Sequence, residues 1–334
     1  MQQNPYIVPR AGLAEDSGSD TPALRQPYLL ALALFVAGIS ALLASSLLQG
    51  FAGVPVGQVL RAVPGLLGPW LTSLLISSAV AVLFMQAQRE RHAIREFRPF
   101  ALIVVVFLLL SGAAVEWLAG LLRDSGREFA LWLADVANLM GLVSPLAFLT
   151  SAAVQAGICL LPLWLVLLLT RSRCVRQPSK ALLPIARLHV AFGVALGFAA
   201  ITGKLLSGLA RLFLASKVGA WGLALEIAAW AVPFALVLVG VLRQLPPQVP
   251  RYAAGRVVLA ALTISLGWSF SVVLVELVGY VLLQEPLGRL QAASGLPVLP
   301  LLAILVALLL LASWTFTGAR WLPGRKRRAQ SSPR

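Results

Sequence analysis

The segment PLAFLTSAAVQAGICLLPLWLVLLLT, from Pro145 to Thr170, contains no charged residue and decides the fold class. A helix of this length is about 39 Å long, which is enough to cross the roughly 30 Å hydrocarbon core of a bilayer. Its apolar residues are continuous rather than alternating, so the segment lacks the pattern of a membrane β-strand. It is therefore predicted to be a transmembrane helix.

The rest of the chain has the same character. Of the 334 residues, 59% are hydrophobic and 12% are charged, whereas about a quarter of the residues of a soluble domain are charged. A bilayer accommodates such a chain because helices satisfy their own backbone hydrogen bonds in lipid. We expect an all-α integral membrane protein, a polytopic helical bundle of about eight transmembrane helices. The predicted spans are 28–48, 66–87, 100–122, 145–170, 182–202, 219–242, 257–283 and 297–317.

Two tails flank this transmembrane domain, which is predicted to occupy residues 28–318. Residues 1–27 contain prolines and acidic residues but no apolar core, so they are predicted to be a disordered cytoplasmic tail rather than a signal peptide. Residues 319–334 form a basic cytoplasmic tail. Its segment Arg325-Lys326-Arg327-Arg328 is a candidate site for anionic lipid headgroups, although a stop and orientation signal explains the same residues equally well.

The distribution of Lys and Arg predicts the orientation. Of the 27 such residues, 20 lie in one set of alternate segments, which includes both tails, and 7 lie in the other set. Because basic segments stay in the cytoplasm, both termini are predicted to be cytoplasmic and the number of spans to be even. Eight spans satisfy this condition, and six satisfy it if two apolar runs do not cross. The composition associates the chain with a bacterial inner membrane.

The outer connections contain shorter amphipathic segments, which are predicted to be interfacial helices. These are Gln58 to Leu67, Arg123 to Ser144, Arg211 to Val218 and Leu287 to Leu296. Near the outer end of each odd-numbered span, a leucine is followed two positions later by a glycine and then by a bulky apolar residue; the leucines are Leu48, Leu118, Leu206 and Leu277. This similarity indicates tandem two-helix hairpins, and both a fourfold and a twofold repeat are compatible with it. Such repeats would be parallel and would surround a central axis.

Ionisable residues within the spans are candidate functional groups, because they are costly to keep in lipid. Glu116, Lys204, Glu226 and Glu276 are predicted to lie in the outer half of the membrane, as a candidate site for a substrate or an ion. The alternative interpretation is that these side chains snorkel to the surface or pair to hold helices together. His189 lies at the cytoplasmic mouth of the fifth span, where a snorkelling or capping role is favoured over proton transfer.

Two smaller features bear on packing. Gly193 and Gly197 are four residues apart, the spacing that allows two membrane helices to approach closely. In a scaffold protein this pair would be a lipid-facing contact for a partner helix. Cys159 and Cys174 form neither a disulfide framework nor a metal-binding spacing, so they are expected to be structural thiols.

The sequence contains no phosphate-binding loop, zinc-binding histidine pair or nucleophile motif. We therefore expect no enzyme, no cofactor and no metal. The first functional hypothesis is a small transporter or flippase with an outward-facing polar cavity lined by carboxylates. The second is a non-catalytic scaffold, assembly or anchor subunit of a larger complex. The expected partners are membrane lipids and a membrane protein or a second copy of the chain, and the basic charge indicates topology rather than nucleic-acid binding.

Overall fold

A computed structural model of the protein describes residues 22–51, 56–113, 128, 140–176, 185–213, 220–294 and 298–322. Every predicted span overlaps a helix in this part of the chain. The α-helices there are α1 Pro22–Phe51, α2 Val56–His92, α3 Phe100–Ala113, α4 Met140–Thr170, α5 Arg187–Phe213, α6 Ala220–Gln244, α7 Ala254–Ser294 and α8 Val298–Gly318.

Within these ranges, six helices are long and apolar enough to cross a membrane: α1, α2, α4, α5, α7 and α8. Within the residues that the structure describes, α3 and α6 contribute the apolar stretches Phe100–Ala113 and Trp230–Gln244. A helical bundle of the membrane type is therefore confirmed, because length and apolar composition together meet the requirement of the bilayer. The count of eight crossings and the hairpin repeat stay predictions.

Three buried clusters show how the helices are grouped. One lies between α1, α2, α3 and α4 and contains Phe107 and Leu163. Another lies mainly between α5, α6, α7 and α8 and contains Ile264 and Leu311. A smaller cluster, which includes Leu196, joins α1 and α2 to α5. We call α1–α4 the first helix group and α5–α8 the second, and the surface where they meet the junction.

The glycine pair of α5 lies within the second group. A Cβ atom on Gly193 would overlap the side chain of Tyr252, and one on Gly197 would lie 3.0 Å from Cβ of Ala261 on α7. Both glycines are buried. The predicted close approach of two helices is thus confirmed, but both helices belong to this chain. The pair is therefore not the lipid-facing contact that the scaffold hypothesis assigned to it.

One end of the bundle carries most of the described arginines, and we call it the basic end. There α2 ends at His92, α5 begins at Arg187, α6 ends at Gln244 and α7 begins at Ala254. Hydrogen bonds connect these helix ends, for example from the Arg187 guanidinium to the carbonyl of Leu242 at 3.4 Å. The basic end therefore collects the segments that the charge distribution predicts to be cytoplasmic.

Two short antiparallel ladders cross the basic end. Strand β1, Ile94–Glu96, pairs with β2, Val175–Arg176, and β3, Ile185–Ala186, pairs with β4, Gln248–Val249. These strands were not predicted from the sequence, because two or three residues are too few to show an alternating pattern. The ladders give the backbone polar groups of these connections their hydrogen-bond partners.

Some element boundaries differ from those predicted. Helix α1 begins at Pro22, before the predicted end of the tail at residue 27, and both Leu24 and Gln26 are buried. Burial of an apolar and a polar side chain explains why these residues join the helix.

The predicted interfacial segments also differ. Helix α2 begins at Val56 and includes Gln58 to Leu67, while α7 continues to Ser294 and includes most of Leu287 to Leu296. In these two connections the amphipathic segment is therefore the end of a long helix and not a separate one. Most of the segments Arg123 to Ser144 and Arg211 to Val218 lies outside the described residues.

Candidate functional site

The site predicted from the sequence is described only in part. Glu116 and the segment Arg325 to Arg328 lie outside the described residues. Helix backbone is described at Glu226 and Glu276, and a side chain is described at Lys204, which is half-buried. At 1.5 Å per residue, these three lie about 26 to 33 Å along their helices from the basic end. Their convergence on one pocket stays a prediction.

A second polar site lies at the basic end, at the junction of the two helix groups. Its centre is Arg89 of α2, whose side chain is only 2% exposed. Val82 and Met85 are fully buried, and Arg89 continues their helix face at spacings of three and four residues. The guanidinium Nε donates to Oε1 of Gln86 at 3.1 Å, whereas Nη2 has no hydrogen-bond partner among the described residues.

Two tyrosines flank this guanidinium. Tyr28 of α1 donates its hydroxyl to the backbone carbonyl of His189 at 2.6 Å, and its ring centroid lies 5.4 Å from both the His189 and the Phe192 rings. Tyr252, which precedes α7, is fully buried, and its hydroxyl lies close to that of Tyr28. Burial raises the pKa of Tyr252 above its usual range, so this phenol stays protonated and remains a hydrogen-bond donor.

Glu90 connects the two helix groups directly. Its carboxylate accepts the backbone N–H of Tyr252, and it accepts the N–H of Ala253 at 3.2 Å on Oε1 and 3.1 Å on Oε2. These donors lie at the start of α7, where backbone N–H groups lack helical partners and the helix dipole favours a negative charge. Ala253 has φ 49°, the left-handed conformation that costs a residue with a Cβ about 1 kcal/mol or more. The Glu90 carboxylate therefore fixes the strained start of α7 against the end of α2.

Replacing Glu90 by Gln should lower the free energy of unfolding by about 1 to 2 kcal/mol. The carboxylate has two charged acceptor oxygens for the backbone N–H groups of Tyr252 and Ala253, whereas the amide has one neutral acceptor oxygen. Glu96→Gln is the matched control. Glu96 pairs with exposed Arg98 at 2.7 Å, and such surface ion pairs contribute about 0.2 to 1 kcal/mol. Thermal unfolding of both variants in detergent measures the difference, and equal losses would contradict the role assigned to Glu90.

Two glutamines complete the polar network within the first helix group. Gln26 donates from Nε2 to the carbonyl of Phe97 at 3.2 Å and accepts the N–H of Phe97 on Oε1 at 2.8 Å. Gln86 donates to the carbonyl of Leu24 at 3.3 Å. These amides join the start of α1 to the end of α2 and to the chain after β1, so the first group presents Arg89 on a fixed support.

No sequence pattern marked Arg89, Glu90, Tyr28 or Tyr252 as functional residues. Arg89 was predicted only to be one of the basic residues of a cytoplasmic segment, although its position on the helix face of Val82 and Met85 indicates burial. His189 lies at the mouth of α5 as predicted and is half-buried beside Tyr28. A proton-transfer role for it is not needed by this geometry.

The two cysteines provide a test of orientation and of pH dependence. Cys159 is buried in α4, whereas Cys174 is half-buried at the basic end, where burial raises the pKa of its thiol. A membrane-impermeant maleimide should label the protein in inverted inner-membrane vesicles and not in spheroplasts. Because a higher pKa leaves less thiolate at a given pH, labelling should be slow at pH 7 and accelerate toward pH 10. Cys174→Ser should remove the label, and labelling of spheroplasts would reverse the predicted topology.

Comparison with known proteins adds no family to these observations. No protein-family model matches the chain, and neither a curated protein nor a solved structure is significantly similar to it. Fold and site therefore define a helical membrane protein with a buried polar junction at its basic end.

Proposed function

We propose that the protein is a small transporter or flippase of a bacterial inner membrane, in which the two helix groups move against each other to expose a site alternately to either side. The observation that carries this proposal is Arg89, a guanidinium 2% exposed at the junction whose Nη2 has no partner among the described residues. A charge in such a position is costly. In a purely structural subunit, an apolar side chain at this position would avoid the cost of burying a charge.

The orientation follows from the charge distribution. The basic end faces the cytoplasm in this proposal, because it carries the basic segments. Glu116, Glu226 and Glu276 then belong to the opposite, outward end, where they receive a proton, a cation or the amine of a substrate. Parallel repeats would arrange the two helix groups around an axis along the membrane normal.

The contacts at the basic end act as a closed gate in this scheme. Among the described residues, the bonds that cross the junction there include those of Glu90 with Tyr252 and Ala253 and that from Tyr28 to His189. Hydrogen bonds to a charged group contribute about 1.5 to 3 kcal/mol each. A substrate that binds one arrangement more tightly by a few kcal/mol is therefore sufficient to shift the populations of the closed and open gate.

Reconstituted protein tests this function. Proteoliposomes are assayed for charge movement with a panel of amines and cations, and for translocation of fluorescent phospholipids across the bilayer. Glu116→Gln, Glu226→Gln and Glu276→Gln are compared with Glu96→Gln, a carboxylate at the basic end. At least one of the three should lose about 90% of the activity without a fall in abundance, since a neutral amide binds neither a proton nor a cation.

Unchanged activity in all three variants would contradict the carboxylate-lined cavity. If the lone protein moves nothing and a stable partner protein co-purifies from native lipid, the scaffold, assembly or anchor function becomes the better account.

A further inference from the structure

We propose that a shallow groove at the basic end binds the phosphate of an anionic phospholipid, whose acyl chains lie along the outer face of α7. The groove lies between the end of α2 and the start of α7. It is lined by Ala87, Glu90, Arg91, Arg251, Ala253, Ala254, Gly255 and Arg256. This proposal concerns a bound lipid and does not depend on the transport function.

The charge of the groove is strongly positive. Arg91, Arg251 and Arg256 are all exposed. None of their guanidinium groups has a hydrogen-bond or ion-pair partner among the described residues. Positive charges that line one groove repel one another, and an anion bound among them offsets this repulsion. Guanidinium groups suit a phosphate because their planar N–H groups can bind two of its oxygens at once.

Glu90, the acidic residue of the groove, does not neutralise these arginines. Both of its carboxylate oxygens accept backbone N–H groups, from Tyr252 and Ala253. The carboxylate oxygens therefore bind the start of α7 and not the arginines of the groove. An anionic ligand can therefore approach the three guanidinium groups without displacing an internal ion pair.

The depth of the groove is that of a lipid headgroup. The apolar stretches Trp70–His92 of α2 and Ala254–Val275 of α7 both have one end at the groove. The groove therefore lies where these two helices leave the hydrocarbon layer. Anionic headgroups at this level attract basic side chains with about 1 kcal/mol per charge.

An exposed apolar stripe continues from the groove along α7, and it favours a lipid over free phosphate. From Gly255, residues at spacings of three and four share one helix face. This stripe consists of Leu259, Leu262, Leu266 and Phe270, which are 39%, 36%, 54% and 71% exposed. From Leu259 to Phe270 it extends for about 17 Å, close to the depth of one leaflet of a 30 Å hydrocarbon core. A phosphate in the groove would thus have its acyl chains on this face.

Native mass spectrometry of the full-length protein in detergent tests the proposal. Phosphatidylglycerol and phosphatidylcholine with identical acyl chains are titrated onto the parent and onto the variant R91Q/R251Q/R256Q. A loss of about fivefold per guanidinium predicts that the triple variant binds phosphatidylglycerol about a hundredfold more weakly. Its binding of phosphatidylcholine should fall much less, because the choline cation already offsets the charge of that phosphate. The single variant R251Q, in the connection before α7, should show about a fivefold loss.

The variant R95Q/R173Q/R243Q is the matched control, because it removes three exposed arginines of the basic end that do not line the groove. It should bind phosphatidylglycerol within about threefold of the parent. Equal losses in the two triple variants would overturn the proposal, since binding would then depend on overall charge. Glycerol phosphate that competes as well as the intact lipid would also overturn it, because the ligand would then be a soluble phosphate.

Discussion

Replacing Arg89 by methionine should abolish transport in proteoliposomes while the protein stays folded. Methionine is similar in length and apolar, and it removes the desolvation cost of a guanidinium that is only 2% exposed. Gln86 loses the donor to its Oε1 but keeps its bond to the carbonyl of Leu24. The midpoint of thermal unfolding should therefore equal or exceed that of the parent, whereas transport should fall at least about tenfold.

The combination of the two results separates a functional role from a structural one. Arg95→Met removes an exposed arginine of the same end and should leave both transport and stability unchanged. Arg89→Lys keeps the charge but not the planar fork, so it should retain part of the activity. Full transport by Arg89→Met would show that the buried guanidinium is not needed for function. A large fall in its unfolding midpoint would show instead that the charge supports the fold.

Alanine at Gly193 should have the largest effect on stability. Its Cβ would overlap the hydroxyl of Tyr252 and lie 3.0 Å from Cζ, in a region where the tyrosine is fully buried. Overpacking of this kind costs about 1 to 3 kcal/mol. That cost corresponds to a fall of about 2 to 10 °C in the midpoint of thermal unfolding, measured by tryptophan fluorescence in detergent.

Gly157→Ala on α4 is the control for Gly193→Ala, because among the described residues no atom beyond its own stretch of helix lies within 4 Å of the added Cβ. Since alanine favours a helix more than glycine does, this variant should be as stable as the parent or slightly more stable. The double variant Gly193→Ala/Tyr252→Phe should recover part of the loss, because it removes the overlapped hydroxyl. No recovery would place the clash elsewhere on the ring.

Hydropathy and charge could predict the helices but not the contacts between their ends. The uncharged run that ends at Thr170 predicts α4, because a long apolar helix is the one structure that lipid accepts there. The spacing of Gly193 and Gly197 predicts a close helix contact, but not whether the partner helix is α7 or another molecule. A local pattern predicts that a helix face packs closely, but the residues that pack against it are known only from the fold.

The polar site at the junction shows the same limit more sharply. Glu90 and Ala253 are 163 residues apart in the sequence, so no periodicity connects them. The burial of Arg89 could have been predicted, since it lies on the helix face of Val82 and Met85. It was not predicted, because arginines in basic segments near the ends of spans usually indicate topology. The candidate carboxylates stood out because they interrupt apolar runs, whereas Arg89 adjoins other charged residues.

The separation of these contacts along the chain also sets an order of assembly during synthesis, since N-terminal parts emerge and fold first. Gln26 can bind Phe97 once this residue, 71 positions later, has left the ribosome. Glu90 receives its backbone donors only after α6 has been made, 163 residues later. During that interval the glutamine contacts of the first helix group can form, but the Glu90 carboxylate lacks its backbone donors. A chain released before Ala253 would retain that unsatisfied carboxylate at the end of α2.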